Sequence, residues 1–346
     1  MRLFSLRCAA ACILLLIPSL FSQEAPFTRV TTEKIITLAA DSTGVSWTDY
    51  DGDGYLDVFV STFETPRFFL YRNNHDESFS LMDVVITSPT DLMQAEGCIW
   101  ADFDNDGDPD LFISVGLGGN DLLYRNDGNG VFTKLTNIPP TQSGGNSRGC
   151  AWADYDNDGW VDLFVANEKS QTNFLFHNDA GAGLMRVTTG AIVTDRGNSY
   201  GCAWGDYDND GLQDLVVANN GSRNFLYHNE GNGIFTKITN SAIVTNIASS
   251  AGVAWGDYDN DGFLDLFVAN LGQRNFLYHN NGDGTFTLNR NTAIGQETTY
   301  SWSGAWADFD NDGHLDLFVA NGQPNGTGLK DFLYRNRGDG TFEKLT

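Results

Sequence analysis

Positive charge is scarce in this 346-residue chain: Lys and Arg total 20 against 45 Asp and Glu, a net charge of −25. Such a surface repels phosphate backbones and anionic lipid, so nucleic acid is not an expected partner. Long apolar runs are also missing. The one present, Cys8 to Phe21, follows Arg2 and Arg7, is too short to span a bilayer and precedes the small residue Ser22. That order predicts a signal peptide over residues 1–22 and a secreted, extracellular product with no membrane span. Cys12 lies inside the apolar run, which argues against a lipoprotein anchor. Cysteine is sparse as well: Cys8 and Cys12 leave with the leader, so Cys98, Cys150 and Cys202 remain, an odd number that argues against a disulfide framework. Each stands two residues before a Trp, where other copies carry Val45, Val253 or Gly304, which indicates small buried side chains and not a metal site. With 38 Gly and 24 Phe, the composition favours strands and tight turns over long helices.

What the chain has in abundance is a repeat. Trp47, Trp100, Trp152, Trp204, Trp255 and Trp306 mark six copies spaced 51 to 53 residues apart, and one unit reads W255-G-D-Y-D-N-D-G-F-L-D-L-F-V-A-N270, then N275-F-L-Y-H-N280, then G282-D-G-T-F-T287. A period of this length suits one four-stranded sheet per copy. The first strand ends at the Trp, the second is D-L-F-V-A-N, the third F-L-Y-H-N, and the fourth starts at the Phe of G-T-F-T. Segments such as Asp265 to Ala269 are apolar on both faces, as a sheet sandwiched between sheets requires. The predicted fold is all-β, a β-propeller of four-stranded blades over residues 27–346. Asn-x-Gly-x-Gly stretches such as Asn229 to Gly233 supply hairpin turns, and Arg337-Gly338-Asp339 occupies the same turn as Asn281-Gly282-Asp283, so it is not read as an adhesion tripeptide.

Between the first and second strands every copy carries D-x-D-x-D-G-x-x-D. Positions 1, 3, 5 and 9 are Asp49, Asp51, Asp53 and Asp57; Asp102, Asp104, Asp106 and Asp110; Asp154, Asp156, Asp158 and Asp162; Asp206, Asp208, Asp210 and Asp214; Asp257, Asp259, Asp261 and Asp265; and Asp308, Asp310, Asp312 and Asp316. Position 7, able to offer a carbonyl, is Tyr55, Asp108, Trp160, Leu212, Phe263 or His314. Hard oxygen ligands at this spacing suit calcium better than magnesium, which demands octahedral geometry and keeps several waters, so up to six Ca²⁺ ions are expected. An EF-hand does not fit: Val60 or Ile113 stands where its position-12 Glu belongs, and the flanks read as strands. The charge count supports a cation. The six loops hold 24 of the 45 acidic residues and leave 21 acids against 20 bases elsewhere, so nearly all the excess charge sits in clusters that repel without a counterion.

The motif W-x-D-[YF]-D-x-D-G-x-x-D-L-F-V-A-N with F-L-Y-[RH]-N resembles the FG-GAP-like, or VCBS, repeat family, is similar to the calcium loops of the integrin α-subunit propeller, and looks most like secreted members related to cartilage acidic proteins. The resemblance covers residues 27–346 and implies calcium coordination through the side chains at positions 1, 3, 5 and 9 and the carbonyl at position 7. By that mapping His314 contributes its backbone and not its imidazole. The subgroup often carries a further C-terminal domain that these residues do not include.

Fourth-strand copies number seven, at Phe27, Phe79, Phe132, Leu184, Phe235, Phe286 and Phe342, against six acidic loops. Six blades are expected in this chain, with seven in a longer parent as the alternative. The expected function is non-catalytic recognition or adhesion toward extracellular proteins or glycans. The alternatives are a polysaccharide lyase or glycosidase on a propeller scaffold, and a structural module of a larger extracellular assembly. Against an enzyme, His177, His228 and His279 occupy equivalent slots shared with Arg72, Arg125 and Arg335, so no single catalytic constellation stands out and no nucleophile motif is present. In antiparallel blades the acidic loops and glycine hairpins share one face. The variable connections of the opposite face therefore hold the expected binding residues: Arg67, Glu168, Lys169, Arg223, Arg274 and Lys330, with Tyr200, Tyr300 and Trp302 between blades.

Overall fold

Among the described residues the repeated pattern folds into six four-stranded antiparallel meanders, the last three joined into one continuous sheet. The structure, a computed structural model, describes residues 41–63, 68–82, 94–179, 183–323 and 328–345; the expected signal peptide, the strand expected at Phe27, and Arg67 lie outside them. The first blade consists of Ser42–Thr48, Asp57–Thr62, Phe69–Asn73 and Phe79–Leu81, hydrogen-bonded in that order. The same meander recurs behind first strands at Ala95–Ala101, Ser147–Ala153, Ser199–Gly205, Ile247–Gly256 and Thr298–Ala307. First strands end one residue past the Trp. The third strands keep the expected bounds, as Phe225–Asn229 does, and the fourth start at the expected residue, Phe286 in the fifth blade.

Two second strands run longer than D-L-F-V-A-N, as Asp214–Arg223 and Asp265–Arg274. Their last residues leave their own sheet and pair with the first strand of the next blade, Arg223 opposite Ile247 and Arg274 opposite Thr298. A shorter ribbon, Gln171–Thr172 against Arg196–Gly197, makes the equivalent connection between the third and fourth blades. Single helical turns at Ala191–Thr194 and Ala242–Thr245, which the period does not reveal, tuck Ile192 and Ile243 under the segments between blades.

The core lies between blades. Phe164 and Leu175 of the third blade meet Leu215, Val217 and Tyr227 of the fourth, and Phe267 and Leu277 of the fifth meet Leu317, Val319 and Tyr334 of the sixth. Burial on both faces is why the second strands alternate so little. First strands approach closely: a methyl group on Gly201 would sit 2.6 Å from the carbonyl oxygen of Ala251, so only glycine fits. Each cysteine follows such a glycine. None of the three forms a disulfide, all are half-buried, and burial raises the Cys150 thiol and pushes that of Cys202 up to about 12, as suits packing groups. An Asn closing each third strand ties five junctions. Asn126, Asn178, Asn229, Asn280 and Asn336 each donate from Nδ2 to a backbone carbonyl of the preceding blade's loop, at 2.6 to 2.8 Å.

Candidate cation loops and the opposite face

All six acidic loops are built alike, and the backbone fixes most of their carboxylates. The position-1 Asp accepts from two amides with both oxygens; Asp154 takes the N–H of Asp158 at 3.0 Å and that of Gly159 at 2.9 Å. The position-5 Asp accepts from the position-7 amide, Asp158 from Trp160 at 2.9 Å. The position-9 Asp is buried at the root, where Asp162 accepts from Tyr155 N at 3.1 Å and Asn178 N at 2.7 Å. Gly at position 6 holds φ near 90° (Gly159, Gly211, Gly262), which lets the chain turn back on the carboxylates.

The position-3 Asp is different. Its Oδ1 is buried and has no hydrogen-bond partner in Asp51, Asp104, Asp156, Asp208 and Asp259. An orphaned anionic oxygen recurring in five loops is a costly feature unless something cationic meets it. Ligand atoms of Asp49, Asp51 and Asp53, and of Asp102, Asp104 and Asp110, already lie within 4.8 Å of one another. Burial, with the position-5 carboxylate adding to it, raises the pKa of Asp104, Asp156, Asp208, Asp259 and Asp310. Burial likewise pushes the position-9 Asp to about 6 in Asp57 and Asp316, about 7 in Asp162, Asp214 and Asp265, and about 8 in Asp110. The loops thus resist full ionisation on their own, and the donor set of carboxylates and carbonyls fits a hard divalent cation.

The third strand supplies one base beside most loops. His177 Nδ1 lies 3.0 Å from Asp162 and 3.5 Å from Asp156, and His228 and His279 repeat the arrangement, while Arg72 pairs with Asp51 at 2.6 Å and Arg335 with Asp310 at 2.8 Å. Arg125 departs and pairs with Asp127 in its hairpin. Position-7 side chains point away from the acids: Tyr55 stacks on His75, and the His314 ring contacts Asn260 of the preceding blade at 3.1 Å. In the Arg337-Gly338-Asp339 turn, Arg337 pairs with Glu343, and Asp339 accepts from Thr341 as Asp283 does from Thr285.

The opposite face is less uniform. Glu168 joins Glu96 in holding Arg148, each at 2.9 Å, and Lys169 leans on Glu168 and Asn146. Tyr200 lies under the Arg148 guanidinium, and half-buried Trp302 donates to the Gly322 carbonyl at 2.7 Å, so both pack on their own surroundings. Tyr300 is 37% exposed, and Arg223, Arg274 and Lys330 project to solvent. Sequence reasoning missed Arg186 and Arg196, which line a concavity of about 220 Å³ on this face beside Gln171, Thr172, Phe174 and Ser143. The signal that could have found them is a departure from the repeat, Ser143 standing where other blades carry Asp195 or Glu297.

Stacked four-stranded sheets, each with an acidic loop at one end, define a β-propeller repeat protein. The FG-GAP-like repeat model matches residues 49–113, 102–165, 154–217, 206–268 and 257–319, and the chain belongs to that family. It is 26% identical over 317 residues to cartilage acidic protein 1 of Mus musculus, with 81% of this chain and 48% of that protein covered, and 26% identical over 318 residues to the Homo sapiens protein. The chain thus spans about half the length of these relatives. Among solved structures, a lectin from Agrocybe aegerita that recognises non-reducing terminal N-acetylglucosamine aligns with a TM-score of 0.60 at 18% identity, over 89% of this chain and 81% of that one. A Lactobacillus plantarum protein aligns with a TM-score of 0.62 at 14% identity, over 89% and 85%. At these identities the likeness extends to the fold alone.

Proposed function

We propose that this chain is a secreted, calcium-binding propeller that recognises extracellular glycans or proteins and does not catalyse a reaction. The observation that carries the calcium reading is the buried, partnerless Oδ1 of the position-3 Asp, repeated in five loops among carboxylates already aimed inward by backbone amides. Positions 1, 3, 5 and 9 and the position-7 carbonyl would hold the ion. Its role is to neutralise the cluster and fix the loop. The regularity of the loops argues against catalysis there, since an active site needs one group to differ from its copies. Recognition falls to the face where side chains do differ. Secretion is supported by the basic-then-apolar order of residues 2–22, and sequencing the N-terminus of the exported protein checks it.

Calcium titration of metal-stripped protein by calorimetry tests the site: uptake of several ions per chain is expected, and none would refute it. An array of extracellular glycans and proteins, probed with calcium present, tests recognition. Cleavage of any arrayed polysaccharide would favour the lyase or glycosidase alternative instead.

A further inference from the structure

The basic residue at the end of the fourth strand has a repeating partner. In the fourth blade Lys237 lies over the Phe225 ring and pairs with Asp195 at 2.7 Å; in the sixth, Lys344 lies over Phe332 and pairs with Glu297 at 2.6 Å. Asp195 and Glu297 each stand four residues before the first-strand serine, Ser199 or Ser301. In the third blade the same arrangement is built and then left incomplete. Arg186 lies over Phe174 with its guanidinium carbon 4.2 Å from the ring centre, but four residues before Ser147 the chain has Ser143 in place of an acid. Among the described residues Arg186 meets no carboxylate, and neither does Arg196, which the Gln171–Thr172 ribbon holds on the other side of the concavity. In a chain of net charge −25, two arginines sharing one hollow with no acid are an exception.

Two of the remaining groups can donate and one can accept. Among the described residues Gln171 spends its Oε1 on the Asn146 amide and its NH₂ meets no acceptor, Thr172 Oγ1 has no partner, and Ser143 Oγ donates to Pro139 O and can only accept. We propose that this hollow binds the carboxylate of a terminal sugar acid, with the carboxylate taking the place that Asp195 and Glu297 fill in other blades and Gln171, Thr172 and Ser143 meeting the sugar hydroxyls. Paired guanidinium groups suit a planar oxyanion. A monosaccharide end fits better than a long polyanion, which the overall charge would repel. A peptide fits less well, because the one aromatic ring in the hollow is covered by Arg186 and offers no anchor. The assignment rests on the recognition reading above and gives it a ligand class.

The test is calorimetry on the calcium-loaded chain with a glucuronic-acid-terminated disaccharide, its glucose counterpart, acetate, and an acidic tetrapeptide. The acid-terminated sugar should bind at least tenfold tighter than the other three. Arg186→Ala and Arg196→Ala should each weaken it at least tenfold, and Lys237→Ala should leave it unchanged. Ser143→Asp restores the internal counterion and should abolish binding without lowering the melting temperature, which separates loss of the site from loss of the fold. Binding that survives both arginine variants, or acetate or peptide binding as tight as the sugar, would overturn the assignment. A glycan or protein hit on the array indifferent to Arg186 and Arg196 would sink this pocket and leave recognition standing; a folded, calcium-loaded chain with no hit at all would sink both.

Discussion

Asp121 is a residue whose copies explain its behaviour. It is buried in the connection after the second strand of the second blade, accepts from Val115 N at 2.8 Å and Ser147 Oγ at 3.1 Å, and is replaced by Asn173, Asn224 and Asn275 in the next three blades. Burial pushes its pKa up from 3.8 to about 7. A carboxyl with a raised folded pKa favours the fold fully only below the unfolded value, and that contribution is lost as pH rises from about 4 through 7. Asp121→Asn should therefore raise stability at pH 8 by on the order of 2 kcal/mol and change little at pH 4, measured by denaturant melts at both. The amide has a place to go, because Asn275 Nδ2 already donates to Ser301 Oγ at 2.9 Å in the fifth blade. At this scale the acidic loops were legible in the sequence because all six copies spell them. The Arg186 hollow was not: it is defined by an acid missing at Ser143 and assembled from segments on both sides of a blade.

Among elements, the third strand does more than complete a meander. Its closing Asn reaches into the preceding blade, and Asn280 Nδ2 donates to Tyr207 O at 2.7 Å and to Leu264 O of its own blade at 3.0 Å. Asn280→Ala leaves one buried and one half-buried carbonyl short of a donor and should cost about 2 kcal/mol in chemical denaturation. The bounds of such strands could be read in advance, since F-L-Y-H-N and D-L-F-V-A-N recur with fixed spacing. The extensions to Arg223 and Arg274 could not, because their partners belong to the next blade and local patterning carries no record of that pairing. The four-residue helical turns were invisible for a different reason: one turn is shorter than the window in which helical periodicity registers.

For the whole molecule, calcium should set stability. Loops of about 0.1 mM affinity would each add about 1.4 kcal/mol at 1 mM calcium, so chelation should lower the melting temperature clearly and restored calcium should recover it. Asp257→Ala should remove one ion and part of the shift. An unchanged melt on chelation would contradict the reading of all six loops.

The loops also touch one another. The position-4 Asn, held at left-handed φ between 54° and 61°, donates from Nδ2 to the position-6 carbonyl of the next loop: Asn105 to Gly159, Asn157 to Gly211, Asn209 to Gly262 and Asn260 to Gly313, at 2.8 to 3.1 Å. The first loop has Gly52 at that position and cannot make this bond. Five loops are therefore wired in series and one stands apart. An ion held by the position-7 carbonyl would also steady the adjoining position-6 peptide and the Asn amide reaching it from the loop before, so occupancy at one site is expected to change the free energy of filling its neighbour. Calcium uptake should be sigmoid, with a Hill coefficient above 1, and one site should fill out of step with the rest. Asn209→Ala should cut the series in two and flatten the curve while leaving the number of bound ions unchanged.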